Sequence, residues 1–169
     1  MRSGRRRSVA CRAGQWLESK AAIDVPVSLE HAWSLWDNRT EIPKWMPWIH
    51  AVEVQASDSR LSKWRLVTQQ FGREWEFSWL ARNLAPVKGQ KIHWVSEPGS
   101  TSLGIEVANR GQIRFIKKSP ALTNVTLSIT YEVPTPLVPF ANLLTPVLED
   151  VLTKDMARFK DYAVETCQK

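Results

Sequence analysis

The sequence predicts an α+β domain: an antiparallel sheet with one dry face, covered by a long C-terminal helix. Three observations predict it. Between Ile49 and Val133 a series of short runs alternates apolar and polar side chains, as strands half-buried in a sheet do. Turn-rich links such as PVKG and KKSP join most of those runs, which favours antiparallel neighbours. The last stretch of chain then switches to apolar spacings of three and four, the period of a helix.

Each element follows in order. SKAAIDVPV is extended and ends at Pro26. Ser28 caps a helix over LEHAWSLWDN, with Glu30 in the first turn, where the helix dipole favours an acid. Leu29, Trp33 and Trp36 share one face of it. Asn38 to Pro43 breaks the helix, and KWMPWIHAVEV turns the chain into the first run of the meander. IHAVEVQ passes through the polar turn SDSR to KWRLVTQ. In REWEFSWLAR, Trp75, Phe77 and Trp79 point one way, against Glu74, Glu76 and Ser78. KIHWVS places Ile92 with Trp94, and GQIRFIKK places Ile113 with Phe115. NVTLSITYEV sets Val125, Leu127, Ile129, Tyr131 and Val133 on one face. The segment from Glu97 to Arg110 is less patterned; Leu103, Ile105 and Val107 suggest a short strand within it.

Thr135-Pro136 signals a short helix, and Thr145-Pro146 repeats the signal as N-cap and first helical residue of a long one. Leu148, Leu152, Met156, Phe159 and Ala163 form its stripe, so from Pro146 to about Thr166 it would measure roughly 30 Å. A stripe of that length needs a broad apolar surface, and the dry face of the meander supplies one.

A chain of 169 residues suits one domain and buries about 70% of the surface its unfolded form exposes. The formal charge of +6 does not describe that domain. Residues 1–20 carry six basic side chains against Glu18, whereas the rest carries 17 basic and 16 acidic. With no Lys/Arg-rich helix or run beyond the tail, nucleic acid is not an expected partner. The tail, MRSGRRRSVACRAGQ, is rich in Arg, Ser, Ala and Gly and lacks the apolar block of a secretory signal. Residues 1–19 therefore read as an organellar transit peptide or a disordered basic arm, with the domain over 20–169. VACRA looks like the end of a plastid transit peptide, placing cleavage near Cys11 to Gly14; a mitochondrial address is the alternative. Cys11 and Cys167 sit at opposite termini and make no disulfide framework. No apolar run approaches 18 residues, so no transmembrane segment is expected.

WSLWDNRTEIPKWMPWIHAVEV, FSWLARN, IHWVSEPG, RGQIRF and YEVPTPL, in this order, resemble the polyketide cyclase/dehydrase and START-like lipid-transport superfamily. Within it the chain looks closest to the coenzyme Q-binding START-domain group, in its plant, algal and cyanobacterial form. The resemblance covers residues from about 20 to 165. It implies a helix-grip fold, in which a curved antiparallel sheet wraps the C-terminal helix and leaves a deep apolar cavity. It also implies that WMPW stands at the cavity mouth. The expected ligand-facing set is then Trp36, Trp45, Met46 and Trp48 from the helical end, and Trp75, Phe77, Trp79, Trp94, Phe115 and Tyr131 from the sheet. Leu148, Leu152 and Met156 complete it from the long helix.

The residues point to no catalytic set, metal or cofactor. His31, His50 and His93 lie far apart, with His31 and His93 expected to face outward, and HxH, HxxxH and HExxH are absent. Polar candidates for a cavity wall are Tyr131, Arg65, Arg82 and Arg114, with the Tyr131 hydroxyl suited to a quinone or head-group oxygen. The leading expectation is a non-enzymatic binder or carrier of a prenylquinone, lipid or isoprenoid. A cyclase or dehydratase on a polyketide-like substrate and an organellar assembly factor with a filled core are the alternatives. LVPFANLL, ahead of the long helix, would touch a bilayer surface transiently or cover the sheet edge.

Overall fold

Seven strands form one antiparallel sheet in the order β1-β7-β6-β5-β4-β3-β2. The computed structural model describes residues 15–70, 72–101, 108–133, 138–139 and 141–168. The strands are β1 (Gln15–Val25), β2 (Ile49–Gln55), β3 (Asp58–Gln70), β4 (Arg73–Asn83), β5 (Lys91–Ser96), β6 (Asn109–Ser119) and β7 (Leu122–Val133). Helix α1 (Leu29–Asp37) and a 3-10 helix (Arg39–Lys44) lie between β1 and β2, and α2 (Ala141–Cys167) closes the chain. This is the helix-grip arrangement, a curved antiparallel sheet wrapped around a long C-terminal helix.

β2 through β7 follow one another as a meander, while β1 joins the far side by pairing with β7 along its whole length, from Gln15 opposite Val133 to Val25 opposite Thr123. β1 begins ahead of the boundary expected at Lys20; Ser19, within the added stretch, is buried.

Local chemistry explains the connections. The Ser28 side chain accepts the His31 backbone N–H at 3.2 Å, the expected N-cap. The break at Asn38–Pro43 is the 3-10 helix, a tighter winding that carries Pro43 inside it. In the turn before β5, Gly89 takes φ +71°, which only glycine adopts freely.

α2 differs from its expected bounds. It starts at Ala141, so Thr145 and Pro146 lie inside the first turns rather than at the cap. Pro146 forfeits one bond, to the Asn142 carbonyl, close to the helix end, and the helix tolerates that loss. At 27 residues α2 measures roughly 40 Å. It packs mainly on β1, burying Leu152, Met156, Phe159 and Ala163. The expected strand at Leu103–Val107 and the expected short helix at Thr135–Pro136 lie outside the described residues.

His31 does not face away into solvent. Its Nε2 lies 3.0 Å from the Ala163 carbonyl and 3.1 Å from Thr166 Oγ1, tying α1 to the end of α2. Tyr162 adds a second tie, donating to Glu41 at 2.7 Å, with Lys44 pairing to the same carboxylate. The C-terminal half of α2 is thus fastened to both short helices.

Candidate ligand-binding site

The sheet carries a wall of three indoles. Trp64 on β3 stands directly opposite Trp79 on β4, and their rings lie 6.1 Å apart at 18°. Trp94 on β5 lies 6.4 Å from Trp64, also at 18°. Register sets Trp64 beside Trp79 as cross-strand neighbours on one face, and Trp94, opposite Asn83 on β4, reaches past that strand to complete the stack on Trp64. Two small residues secure it. Trp64 donates its indole N–H to the buried Ser62 hydroxyl at 3.0 Å. Gly111, opposite Trp94 in register, leaves room for the Trp94 ring: a Cβ there would come within 2.2 Å of its Cζ2.

In front of this wall is a cavity of about 460 Å³. The sheet contributes Leu66, Phe77, Ile92, Ile113, Leu127, Ile129 and Tyr131 besides the three indoles. The helical end contributes Trp36, Ile42, Met46 and Trp48, the start of β2 adds Ile49, and α2 contributes Leu148. Arg39, Ser78, Asn83, Thr101 and Asn109 complete the lining, with Arg39 its one charged member among the described residues. The size and apolar walls are those of a small-molecule site.

Trp48 and Leu148 are part-exposed and mark where the wall meets solvent. Trp48 is held there by a buried acid. Its indole N–H donates to Asp155 at 2.6 Å, and Arg158 donates to the other carboxylate oxygen at 2.7 Å. Asp155 is fully buried, and burial pushes its carboxyl above the ordinary carboxylate value, with both donors opposing. No apolar-period argument singles Asp155 out. The usable signal is an acid three residues after Leu152 and four before Phe159, on the side that the apolar stripe buries.

The structure brings Trp36, Met46, Trp48, Phe77, Trp79, Trp94, Tyr131 and Leu148 together around the cavity. It corrects the placement of four others. Trp45 is fully buried among Trp36, Phe159 and Tyr162, so of the two indoles in WMPW one belongs to the core and one to the wall. Phe115 is covered by Trp33 of α1 at 5.2 Å, and Leu152 and Met156 sit where α2 rests on the filled part of the sheet. The side chain of Trp75 lies outside the described residues.

Trp64, Arg39 and the isoleucines of the lining were not singled out from the sequence. Trp64 was legible in principle, since KWRLVTQ alternates Trp64 with Leu66 as its partner strand alternates Trp79 with Phe77.

The polar candidates turn mostly elsewhere. Arg114 is exposed, Arg65 lies 4.0 Å from Glu76, and Arg82 pairs with Asp58 at 2.7 Å and with Glu97. Tyr131 lines the cavity with its ring, but its hydroxyl is buried in the wall without a hydrogen-bond partner among the described residues. His93 does not line the cavity, and burial lowers its imidazole pKa, with Lys91 adding to the effect. Among the described residues no group of three or more His, Cys, Asp or Glu is placed to hold a metal ion, and no helix is long and apolar enough to cross a membrane.

With this cavity under this fold, comparison with known proteins is decisive at the level of family. Residues 25–160 match the family described as polyketide cyclase / dehydrase and lipid transport. The chain belongs to that family. No curated protein sequence matches it. Among solved structures, it is similar to the Zhui aromatase/cyclase of Streptomyces sp. R1128, with TM-score 0.66 and 15% identity over 88% of this chain and 94% of that one. A START superfamily protein of Mycobacterium smegmatis superposes with TM-score 0.60 and 16% identity, over 88% and 94% of the two chains. A norcoclaurine synthase of Thalictrum flavum, bound to a transition-state analogue, gives TM-score 0.64 and 12% identity over 91% and 98%. At these identities the likeness concerns the fold.

Proposed function

We propose that this member of the family binds or carries a hydrophobic small molecule of the prenylquinone, lipid or isoprenoid class and performs no chemistry on it. The observation that carries the reading is the 460 Å³ cavity, walled by stacked indoles and aliphatic side chains with a single charged residue. Burial of an isoprenoid chain there is worth about 0.8 kcal/mol per CH₂, enough for tight binding without a catalytic group. The resemblance to coenzyme Q-binding START proteins makes quinones the first ligands to try. The acid-poor, arginine-rich N-terminus supports an organellar address, and its VACRA segment favours a plastid over a mitochondrion.

Native mass spectrometry of the chain purified from a membrane-rich host, followed by solvent extraction, tests the reading. A discrete added mass that extracts as a quinone, lipid or isoprenoid is the expected result. A bare polypeptide mass, even after incubation with plastoquinone and ubiquinone, would overturn it. An extracted molecule that the protein converts on incubation would favour the cyclase activity named for the Streptomyces relative. Import of a fluorescent fusion into isolated chloroplasts rather than mitochondria checks the address.

A further inference from the structure

The apolar cavity has a polar neighbour. A second cleft, of about 320 Å³, shares Arg39, Asn83 and Ile92 with the cavity lining. Its remaining lining includes Asp37, Arg60, Arg82 and the start of the β4–β5 connection. Residues common to both linings stand between the two spaces, so Arg39 borders apolar volume on one side and polar volume on the other.

The three arginines of this cleft differ in how their charge is met. Arg60 and Arg82 both pair with Asp58, and Arg82 also pairs with Glu97. Arg39 makes no ion pair among the described residues. Its guanidinium donates to neutral oxygens only: the Ser59 and Arg60 carbonyls and the Ser62 hydroxyl that also receives Trp64. These bonds fix the fork at the end of the indole wall without neutralising it. Burial lowers its pKa, and Asp37 opposes that only at longer range. A partly desolvated guanidinium held by neutral acceptors gains most from an oxyanion, which it meets with short charge-assisted bonds.

We infer that the ligand is an amphiphile with an oxyanion end, a carboxylate or a phosphate, that sits at Arg39 while its hydrocarbon body lies along the Trp64–Trp79–Trp94 wall. The inference rests on the binder reading above and narrows its ligand class to the acidic members.

Displacement of a neutral fluorescent reporter, N-phenyl-1-naphthylamine, from the full chain tests it. Farnesol, farnesoic acid and farnesyl monophosphate compete; they share one hydrocarbon body and differ at the end. At least one of the two acids should displace the reporter at a concentration tenfold or more below farnesol, and which of them does so identifies the head group. Arg39→Gln should abolish that preference, read as the ratio of each acid's displacing concentration to that of farnesol within the variant. Equal competition by all three in the unaltered protein would overturn the inference while leaving the binder reading intact. A preference that survives Arg39→Gln would overturn the assignment to Arg39. No reporter binding at all would instead sink the binder reading. Because Arg39 also ties down the β2–β3 turn, a second measurement stands independent of the variant: phenylglyoxal labelling read by peptide mass spectrometry. Farnesoic acid or farnesyl monophosphate should protect Arg39 and farnesol should not; equal labelling under all three counts against the site.

Discussion

Around Phe159, the rings of Trp36 and Trp45 meet each other and the phenyl at 49° to 72°, with centroids 5.1 to 5.3 Å apart. Across β3, β4 and β5, Trp64 lies within 18° of both Trp79 and Trp94, at 6.1 and 6.4 Å. The first group packs ring against ring at steep angles and is buried, because α1, the end of the 3-10 helix and α2 each supply a ring. The second group comes from one sheet. Its rings stack nearly parallel on one face of that sheet and line the cavity. One residue type therefore builds both a filled core and an open wall, and the number of elements that converge on it decides which. Edge-to-face rings contribute stability beyond their area, whereas a one-sided stack keeps apolar surface uncovered, which is tolerable where a ligand covers it.

The sharpest way to break this comparison is to truncate one indole from each group. Trp45→Ala should cost about 3–5 kcal/mol of folding stability, the range for a large buried aromatic, because Trp45 is fully buried. Trp79→Ala, which removes a part-buried ring, should cost about 1–2 kcal/mol and weaken binding of a neutral apolar reporter by tenfold or more. Urea unfolding followed by far-UV circular dichroism measures the first effect, and reporter titration the second. If the stability losses came out in the reverse order, the division into core and wall would be wrong.

Gly111 sharpens the same point at a smaller cost. An added Cβ would meet the Trp94 ring at 2.2 Å, far inside contact distance, so Gly111→Ala must displace that ring from the stack. The open direction is the cavity. We expect a stability loss of about 1–3 kcal/mol, the usual range for overpacking, together with loss of reporter binding. Pairing Gly111→Ala with Trp94→Ala should restore most of the stability, because the three atoms nearest the added Cβ all belong to the Trp94 ring. Failure of that rescue would mean that Gly111 serves the backbone rather than the ring.

Much of the fold was legible because period and punctuation agree along the chain. Phe77 and Trp79 on β4 and the five apolar-face residues of β7 follow the expected alternation, and Ser28 caps α1 as its position demands. Pro146 misled, since proline favours the first helical position but here stands inside α2, where the helix runs on despite the lost bond. The site was legible only in part. Trp45 and Trp48 look alike in WMPW, and nothing local separates them. Trp45 meets rings from α1 and α2 at once, whereas Trp48 stays part-exposed at the cavity and is held by a hydrogen bond to Asp155, 107 residues away. Arg39 shows no signal in sequence either, because its role depends on three acceptors at the start of β3, about 20 residues on.

Asp155 supplies the smallest effect and the most specific one. It is buried behind Trp48, whose indole N–H it accepts, and burial pushes its carboxyl above the ordinary aspartate value because it penalises the charge. The native state therefore binds this proton more tightly than the unfolded chain does. Its contribution to stability is fully present below the unfolded value and is lost as pH rises through the folded one, the reverse of Asp58, whose arginine partners lower its pKa. Asp155→Asn keeps an acceptor for the Trp48 N–H and removes the titration. The stability difference between the unaltered protein and this variant should fall as pH rises from about 4, with a slope no steeper than about 1.4 kcal/mol per pH unit, the limit for one group. Urea unfolding at intervals from pH 4 to pH 7 measures it. A difference that instead rose with pH would mean that the bonds from Trp48 and Arg158 outweigh burial, and that the carboxylate is preferred behind Trp48 in its ionised form.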